Sequence, residues 1–337
     1  VFFLFDMSQK VIQFIGTQRS GSNLLRLMLN QHQGISAPHP PHILRTFMPF
    51  LSQYGDLKVR KNRFLLVDDV CRWVECNPVE WSSVNFDRDE ITDKTTSLLD
   101  LFEVIYQQKC ATDQAKIWCC KSTFNIQYTL ELEKAIQPFY IYLYRDGRDV
   151  ATSFKKAYVG PKHIYQIAQK WHREQIETYS FLSSLASHRY VWISYEALIQ
   201  DPEKVLHLIC ERIGIEFDEI MLDYFNSKES LLTSKSGNMW ANVVKPIITN
   251  NSQKFHQLLS AQEIKIFESI AAESLLALGY ELETLGDPIQ WSEKEIQLFN
   301  RKNKQLMDVL QKSAAPNERS NRAGQKQLLE SISQRKL

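Results

Sequence analysis

The sequence predicts an α/β fold: a P-loop-like, three-layer architecture with a central, mostly parallel sheet flanked by helices, plus a C-terminal helical extension. Three observations carry this expectation. The apolar run Val11-Ile12-Gln13-Phe14-Ile15 stops at Gly16, and a helical pattern built on Leu24, Leu27 and Met28 follows from Asn23. The same order returns at 139–144 (FYIYLY), where a buried-strand composition meets the turn signal Arg145-Asp146-Gly147 and then a helical stretch at about 148–157. A third strand at 190–195 (YVWISY) leads into helical stretches at 196–199 and 203–213, the second opened by Asp201-Pro202.

The remaining elements follow in chain order. Val1 to Phe5 is apolar but is cut short by Asp6, well below the roughly 20 residues of a membrane span, and it lacks the flanks of a secretory signal. Met7 opens a more usual polar start, so residues 1–6 read as an extension or an alternative start. The segment 54–100 is rich in charge and contains Trp73 and Trp81 without an assignable motif. It is expected on the acceptor side of the site, its tryptophans mainly packed in a core. Ile117 to Cys120 is a fourth, shorter strand that ends at Lys121. An amphipathic helix at 262–278 is closed by Gly279. After Gly286-Asp287-Pro288 the composition changes, and Ser292 with Glu295 forms a capping-box pattern. Ile296, Phe299, Asn303, Leu306 and Leu310 then alternate three and four apart. That spacing describes a helix packed on its own domain or, alternatively, a two-heptad seam for a homodimer through residues 292–312. From Ser313 the chain is polar and basic and reads as a mobile tail. The expected division is a main domain at 8–285 and a C-terminal helix and tail at 286–337.

Composition narrows the function. A net charge of +1 provides no global field to draw the chain onto nucleic acid, so any anion must be held by locally placed Arg and Lys. No segment reaches the length of a transmembrane helix. Cys71-x4-Cys76 has no matching second pair among the six cysteines, so no metal site is expected; reduced thiols and a cytoplasmic location are the default.

In a parallel sheet, ligands bind beyond the carboxyl ends of the strands. The residues there are the loop 16–23, Lys121-Ser122, Arg145 and Tyr195, and three of these four places carry a cation. The spacing Gly16-x4-Gly21 is that of a nucleotide triphosphatase loop, but Ser22 and Asn23 stand where Lys and Ser or Thr would follow. The lysine for the outer phosphates and the hydroxyl for magnesium are both missing, and Arg19 lies inside the loop instead. Such a loop suits a terminal anion held without metal, a sulfuryl group among them. The alternative is an ordinary βα turn with an exposed arginine.

Gly16-Thr17-Gln18-Arg19-Ser20-Gly21-Ser22-Asn23 and the helix after it resemble the 5′-phosphosulfate loop of sulfotransferases that use 3′-phosphoadenylyl sulfate. The run YLYRDGRDVATSF resembles their 3′-phosphate motif, which implies that Arg145 and Ser153 hold the ribose 3′-phosphate; a guanidinium fork and a hydroxyl suit that oxyanion. Val191 to Pro202 resembles the family strand that ends in Tyr-Glu, placing Tyr195 near the adenine. Residues 242–255 resemble a late segment of the tyrosylprotein sulfotransferase branch, which implies a cofactor contact from Lys254. Phe255 replaces the tryptophan usual after that lysine, and the serine expected about 15 residues earlier falls on Met239, with Ser236 nearby. The resemblance covers residues 11–280. It implies 3′-phosphoadenylyl sulfate as co-substrate, adenosine 3′,5′-bisphosphate as product, a hydroxyl-bearing acceptor and no metal.

The cofactor contacts so implied are Gln18, Arg19, Ser20, Gly21, Ser22, Asn23, Arg145, Ser153, Tyr195 and Lys254. Arg19 and Lys121 would stabilise charge on the leaving oxygen, since the family places a lysine at the position of Lys121. The related branch has a glutamate base shortly after the first helix, whereas this chain has none between Arg19 and Arg45. The candidate base is His39, within Ala37-Pro38-His39-Pro40-Pro41-His42, with His42 as substitute. Two other readings stand beside this one: an atypical P-loop kinase, and a nucleotide-binding scaffold of the same fold that transfers nothing. The acceptor, whether peptide tyrosine, sugar hydroxyl or small metabolite, is left open.

Overall fold

The computed structural model describes residues 10–284, 289–313 and 321–335. The proposed start at Met7, the turn at 286–288 and the 285/286 division lie outside the described residues. Five strands form one sheet in the order β2-β3-β1-β4-β5. They are β1 Val11–Ile15, β2 Ile35–Ser36, β3 Ile117–Cys120, β4 Phe139–Tyr144 and β5 Tyr190–Ser194. Every neighbouring pair is parallel, with Ile12 opposite Cys119 on one side and Phe139 on the other. All four strands anticipated from sequence form; β2 was not anticipated, because two residues offer no periodicity to read.

Both sheet faces are covered by helices, which is why these strands read as continuous apolar runs. Side chains still alternate. Ile12 and Phe14 of β1, with Ile141 and Leu143 of β4, pack on helices Ser22–Leu29 and Pro202–Ile213. Val11, Trp118 and Cys120 face the other way, onto helices Arg60–Glu75 and Leu98–Thr112. A third cluster joins helices Gly147–Lys156, Ile164–Ser183 and Ala261–Ala277 around Trp171 and Phe267. Gly147 sits at that junction because a Cβ there would come within 2.5 Å of the Phe267 ring.

No helix among the described residues is long and apolar enough to cross a membrane. Trp73 and Trp81 are buried, as expected of the segment 54–100. The Ser292–Glu295 capping box forms, with Ser292 N–H donating to Glu295 Oε2 at 2.9 Å. Helix Glu293–Ser313 packs on its own chain: Phe299 stacks on His163, and Asn303 Oδ1 accepts from the backbone N–H groups of Lys162 and His163.

The expected polar tail differs from what the structure shows. Ala323–Ser333 is a helix whose Leu328 and Ile332 enter the core beside helix Arg60–Glu75. Gln325 donates to the Trp73 carbonyl at 3.2 Å, and Arg335 pairs at 2.6 Å with Asp69, which also accepts from Tyr54. Two apolar positions four apart, in a basic and polar sequence, are too sparse a stripe to stand out. The burial has a measurable consequence. Ile332→Ala removes a side chain that is 1% exposed, and should lower unfolding free energy by about 2–4 kcal/mol in a denaturant titration. A loss below about 0.5 kcal/mol, the scale of a surface change, would contradict this packing.

Candidate active site

At the carboxyl end of β1 the chain turns at Gly16, with φ +118° and a would-be Cβ 2.6 Å from the Leu143 carbonyl. Only glycine allows β1 to lie this close to β4 there. Arg19 (φ 73°) and Gly21 (φ 90°) continue the loop through left-handed conformations into helix Ser22–Leu29. Gly21 caps this helix without a side-chain hydrogen bond, and no acidic residue lies in its first turn. The first N–H groups and the positive end of the helix dipole are thus available to an anion.

The loop faces a cleft of about 1370 Å³ whose wall includes Gln18, Gly21, Ser22, Asn23, Lys121 and Tyr195. Two segments distant in sequence meet in it: Arg19 Nε donates to Ser153 Oγ at 2.9 Å. The backbone carbonyl of Arg19 lies 3.5 Å from Arg145 Nη1. Arg145 is in turn held by the Asn251 carbonyl at 2.7 Å and by Asp149 at 3.3 Å. Its guanidinium lies 4.3 Å from the centre of the Tyr195 ring, and Tyr195 Oη accepts from Asn251 at 2.5 Å. Asp149 also accepts from the Phe255 N–H at 2.9 Å, which ties Arg145 to the turn carrying Lys254 on the same wall.

The run Arg145-Asp146-Gly147-Arg148-Asp149 is buried throughout. Arg148 pairs with Asp146 at 2.8 Å and with Glu268 at 2.6 Å. A solvated charge run would have neither the burial nor the partners.

Lys121 follows β3 and is 9% exposed. Its position is set by Gln13, a polar residue inside β1. The Gln13 amide donates to the Cys120 and Ser122 carbonyls at 3.1 Å each and accepts from Asn125 at 2.9 Å. Burial, followed by the charges of Arg26 and Arg19, brings Lys121 down to about 7, while Cys120 acts in the opposite sense. Burial and then Arg145 likewise lower Arg19 to about 10.

His39 and His42 line the same cleft. The His39 loop is fixed from behind, its carbonyl accepting from Trp81 at 2.8 Å and Asn77 at 3.1 Å. The His39 ring meets Trp240 edge-on, and its buried Nε2 has no partner among the described residues. His42 Nδ1 is engaged with Ser122 Oγ at 2.8 Å. Burial first, then Lys121, Arg26 and His42 among nearby cationic groups, holds His39 well below 6.5; burial and Lys121 do the same to His42.

Gln18, Arg19, Gly21, Ser22, Asn23, His39, Lys121, Arg145, Ser153, Tyr195 and Lys254 therefore meet in one cleft. Ser20 is buried beside them, its hydroxyl without a partner among the described residues. Met239 also lines the cleft, and its carbonyl lies 3.5 Å from Arg19 Nη2. Ser236 is turned away, donating to the Thr233 carbonyl at 2.7 Å. Sequence reasoning missed Arg26, which is wholly buried and bonded to Asn23, the Ala37 carbonyl, Glu229 and Thr233. An arginine on the apolar side of a short helix was the available signal. It also missed Gln13, Asp149 and Asn251, which hold other residues in place.

A family model described as "Sulfotransferase family" matches residues 12–219, more than half of the chain. Among solved structures, the chain is similar to "Sulfotransferase Domain from the Curacin Biosynthetic Pathway". That likeness has a TM-score of 0.54 and 20% identity, and covers 82% of this chain and 99% of the other. The sulfotransferase domain of the Synechococcus PCC 7002 olefin synthase is 19% identical at a TM-score of 0.48, covering 87% of this chain and 94% of its own. The first of these likenesses shows the fold. No curated protein matches.

Gly21 gives the loop geometry a direct test. It combines a φ of +90° with a would-be Cβ that runs into the Tyr195 ring. Gly21→Ala should cost roughly 2–4 kcal/mol of unfolding free energy, from left-handed strain plus overpacking. Adding Tyr195→Ala should make the double variant about 1 kcal/mol or more less destabilised than the sum of the singles. Strict additivity would separate the loop from the ring.

Proposed function

The chain belongs to the sulfotransferase family, and from that premise we propose that it moves a sulfuryl group from 3′-phosphoadenylyl sulfate to a hydroxyl acceptor by in-line displacement. The observation that carries the reading is the 2.9 Å bond from Arg19 to Ser153, which joins the segments assigned to the 5′-phosphosulfate and the 3′-phosphate. The residues fit such a ligand. Among the described residues, Arg145 Nε and Asn23 Nδ2 are buried donors without partners, and no Asp or Glu lines the cleft. A buried donor left unpaired costs about 1–3 kcal/mol, which an oxyanion would recover.

When bound, 3′-phosphoadenylyl sulfate supplies a sulfuryl group on a phosphate leaving group. The N–H groups at Gly21–Asn23, with Gln18 and the Ser20 hydroxyl, hold the 5′ end; Arg145 and Ser153 hold the 3′-phosphate. Tyr195 flanks the adenine and Lys254 closes over the nucleotide. Arg19 and Lys121 carry the negative charge that develops on the leaving oxygen. No metal is proposed, because Ser22 and Asn23 stand where a triphosphatase loop has its lysine and its magnesium hydroxyl.

His39 takes the proton from the acceptor hydroxyl. Its free Nε2 favours it over His42, whose Nδ1 is engaged with Ser122. A histidine held well below 6.5 is neutral at physiological pH and ready to accept that proton.

Labelled 3′-phosphoadenylyl sulfate incubated with a panel of phenols, sugars and alkyl alcohols, with chelator present, should give a sulfated product. Lys121→Ala and His39→Ala should each lower turnover by about 100-fold or more, losing far more turnover than affinity for adenosine 3′,5′-bisphosphate. Turnover near the wild-type rate in either variant removes that residue from the mechanism.

The pH profile follows from two displaced groups. Lys121 must be protonated to stabilise the leaving oxygen, so kcat/KM should fall as pH rises through about 7. His39 must be unprotonated, so the acid limb should lie well below 6.5. Lys121→Arg, which keeps its charge, should move the alkaline limb upward; an unmoved limb would assign it to another group.

A further inference from the structure

We propose that Arg26 is a positioning residue for the transfer: it turns the Asn23 amide so that its NH2 faces the 5′-phosphosulfate, and it ties the His39 loop to the same helix. The inference rests on the sulfuryl-transfer reading and adds to it a residue that lies outside the cleft wall.

Arg26 belongs to helix Ser22–Leu29 and is wholly buried. Its Nε donates to Asn23 Oδ1 at 2.9 Å. A guanidinium has donors only, so the end of the Asn23 amide that meets it must be the oxygen. The NH2 end is thereby left over. Nδ2 is buried without a partner among the described residues, in a side chain that lines the cleft. The flipped amide would set NH2 against the guanidinium and oxygen toward the anion, wrong on both sides. An amide by itself can present either end; Arg26 makes the choice.

The rest of the fork reaches two other segments. Nη1 donates to the Ala37 carbonyl at 2.9 Å and to Glu229 at 2.8 Å, and Nη2 to Thr233 Oγ1 at 3.0 Å. Ala37 is gripped on its other side as well, its N–H donating at 2.7 Å to the side chain of Asn30, which caps the same helix. His39 follows Ala37 through Pro38, whose fixed φ leaves little slack. One helix thus carries anion-facing groups at its start and two grips on the loop of the base further along. Glu229 and Thr233 lie on helix Lys228–Lys235, and the chain beyond it brings Met239 to Arg19 and Trp240 to the His39 ring.

In-line transfer requires the base and the anion-holding loop to keep a fixed relation, because small misplacements cost rate steeply. A planar fork of donors can hold Asn23, Ala37 and Thr233 at once, whereas the single nitrogen of a lysine cannot.

The test is a double-mutant cycle on the affinity for adenosine 3′,5′-bisphosphate, measured by calorimetry. Its members are the wild type, Asn23→Ala, Arg26→Met with Glu229→Gln (which avoids a stranded acid), and the combination of all three changes. Asn23→Ala and the Arg26 variant should each weaken binding about tenfold, and the combination should be within about threefold of the weaker of the two, since both remove the same donor. At saturating 3′-phosphoadenylyl sulfate the Arg26 variant should also lose about tenfold or more in kcat, through His39. Asn30→Ala, which loosens only the histidine loop, should lower kcat and leave the bisphosphate affinity within about twofold.

If the Arg26 variant does not fold, Asn23→Asp decides with Arg26 in place. It keeps the oxygen that meets the guanidinium and replaces NH2 by a second oxygen. It should unfold no more readily than Asn23→Ala, yet bind the bisphosphate about tenfold more weakly than Asn23→Ala does. Losses that multiply in the combination, an Arg26 variant that binds like the wild type, or Asn23→Asp binding as well as Asn23→Ala overturns the proposal. An unchanged kcat in the Arg26 variant overturns the link to His39. A wild type that does not bind the bisphosphate overturns the sulfuryl-transfer reading, and this proposal with it.

Discussion

The constraint on which the rest of the structure depends is the packing of several cations around one cleft whose wall, among the described residues, has no carboxylate. Charges removed from water need compensation, and a fold that put acids among them would occupy the site with its own ion pairs. Here the carboxylates stand behind the wall. Asp149 backs Arg145, Glu229 backs Arg26, and Asp146 with Glu268 backs Arg148. Of these arginines Arg145 lines the cleft, so Asp149 steadies its guanidinium from the protein side, while Arg26 and Arg148 are buried with their acids outside the lining. The sheet serves the same end, since β1, β3 and β4 are adjacent and parallel and deliver Arg19, Lys121 and Arg145 to one edge.

The same crowding sorts the cations by chemistry. An arginine tolerates desolvation and stays charged, and Arg19 at about 10 remains protonated at neutral pH. A lysine yields more easily, and Lys121 falls to about 7. A lysine balanced between its two forms responds to a nearby anion far more than an arginine does. The chain thus places its least permanent cation where charge changes during the proposed transfer, and its permanent ones where charge is constant. His39 yields in the complementary sense, since burial and then the charges of Lys121 and Arg26 keep the imidazole neutral.

Much of this was legible in the sequence, for identifiable reasons. The four longer strands announced themselves because parallel strands covered on both faces are apolar throughout. The loop 16–23 and the run 145–153 were legible because glycines and charges directly after such strands mark the ligand edge of a sheet. What could not be read was second-order. Gln13 looks like an interruption in an apolar strand until Asn125 and the Cys120 and Ser122 carbonyls are seen around it. Arg26 looks like a helix-surface residue until Glu229 and Thr233, some 200 positions away, are brought to it. Short-range patterns encode the elements; the partners of a buried charge are set by tertiary contact, which periodicity does not carry.

The C-terminal segment shows the same limit with a functional edge. Its polar composition suggested a tail, yet Leu328 and Ile332 anchor it on the core and Arg322, Gln325 and Leu329 face the cleft. A sparsely apolar helix contributes little folding energy of its own and depends on a preformed surface to dock. Helix Arg60–Glu75 provides that surface, and its Trp73 also lines the cleft and donates to the Pro41 carbonyl beside His42. Docking of the last helix and placement of the histidine loop therefore share one tryptophan. The wall of the cleft shared with the loop 16–23 and the run 145–153 is completed by residues from the two segments that the sequence left without a motif.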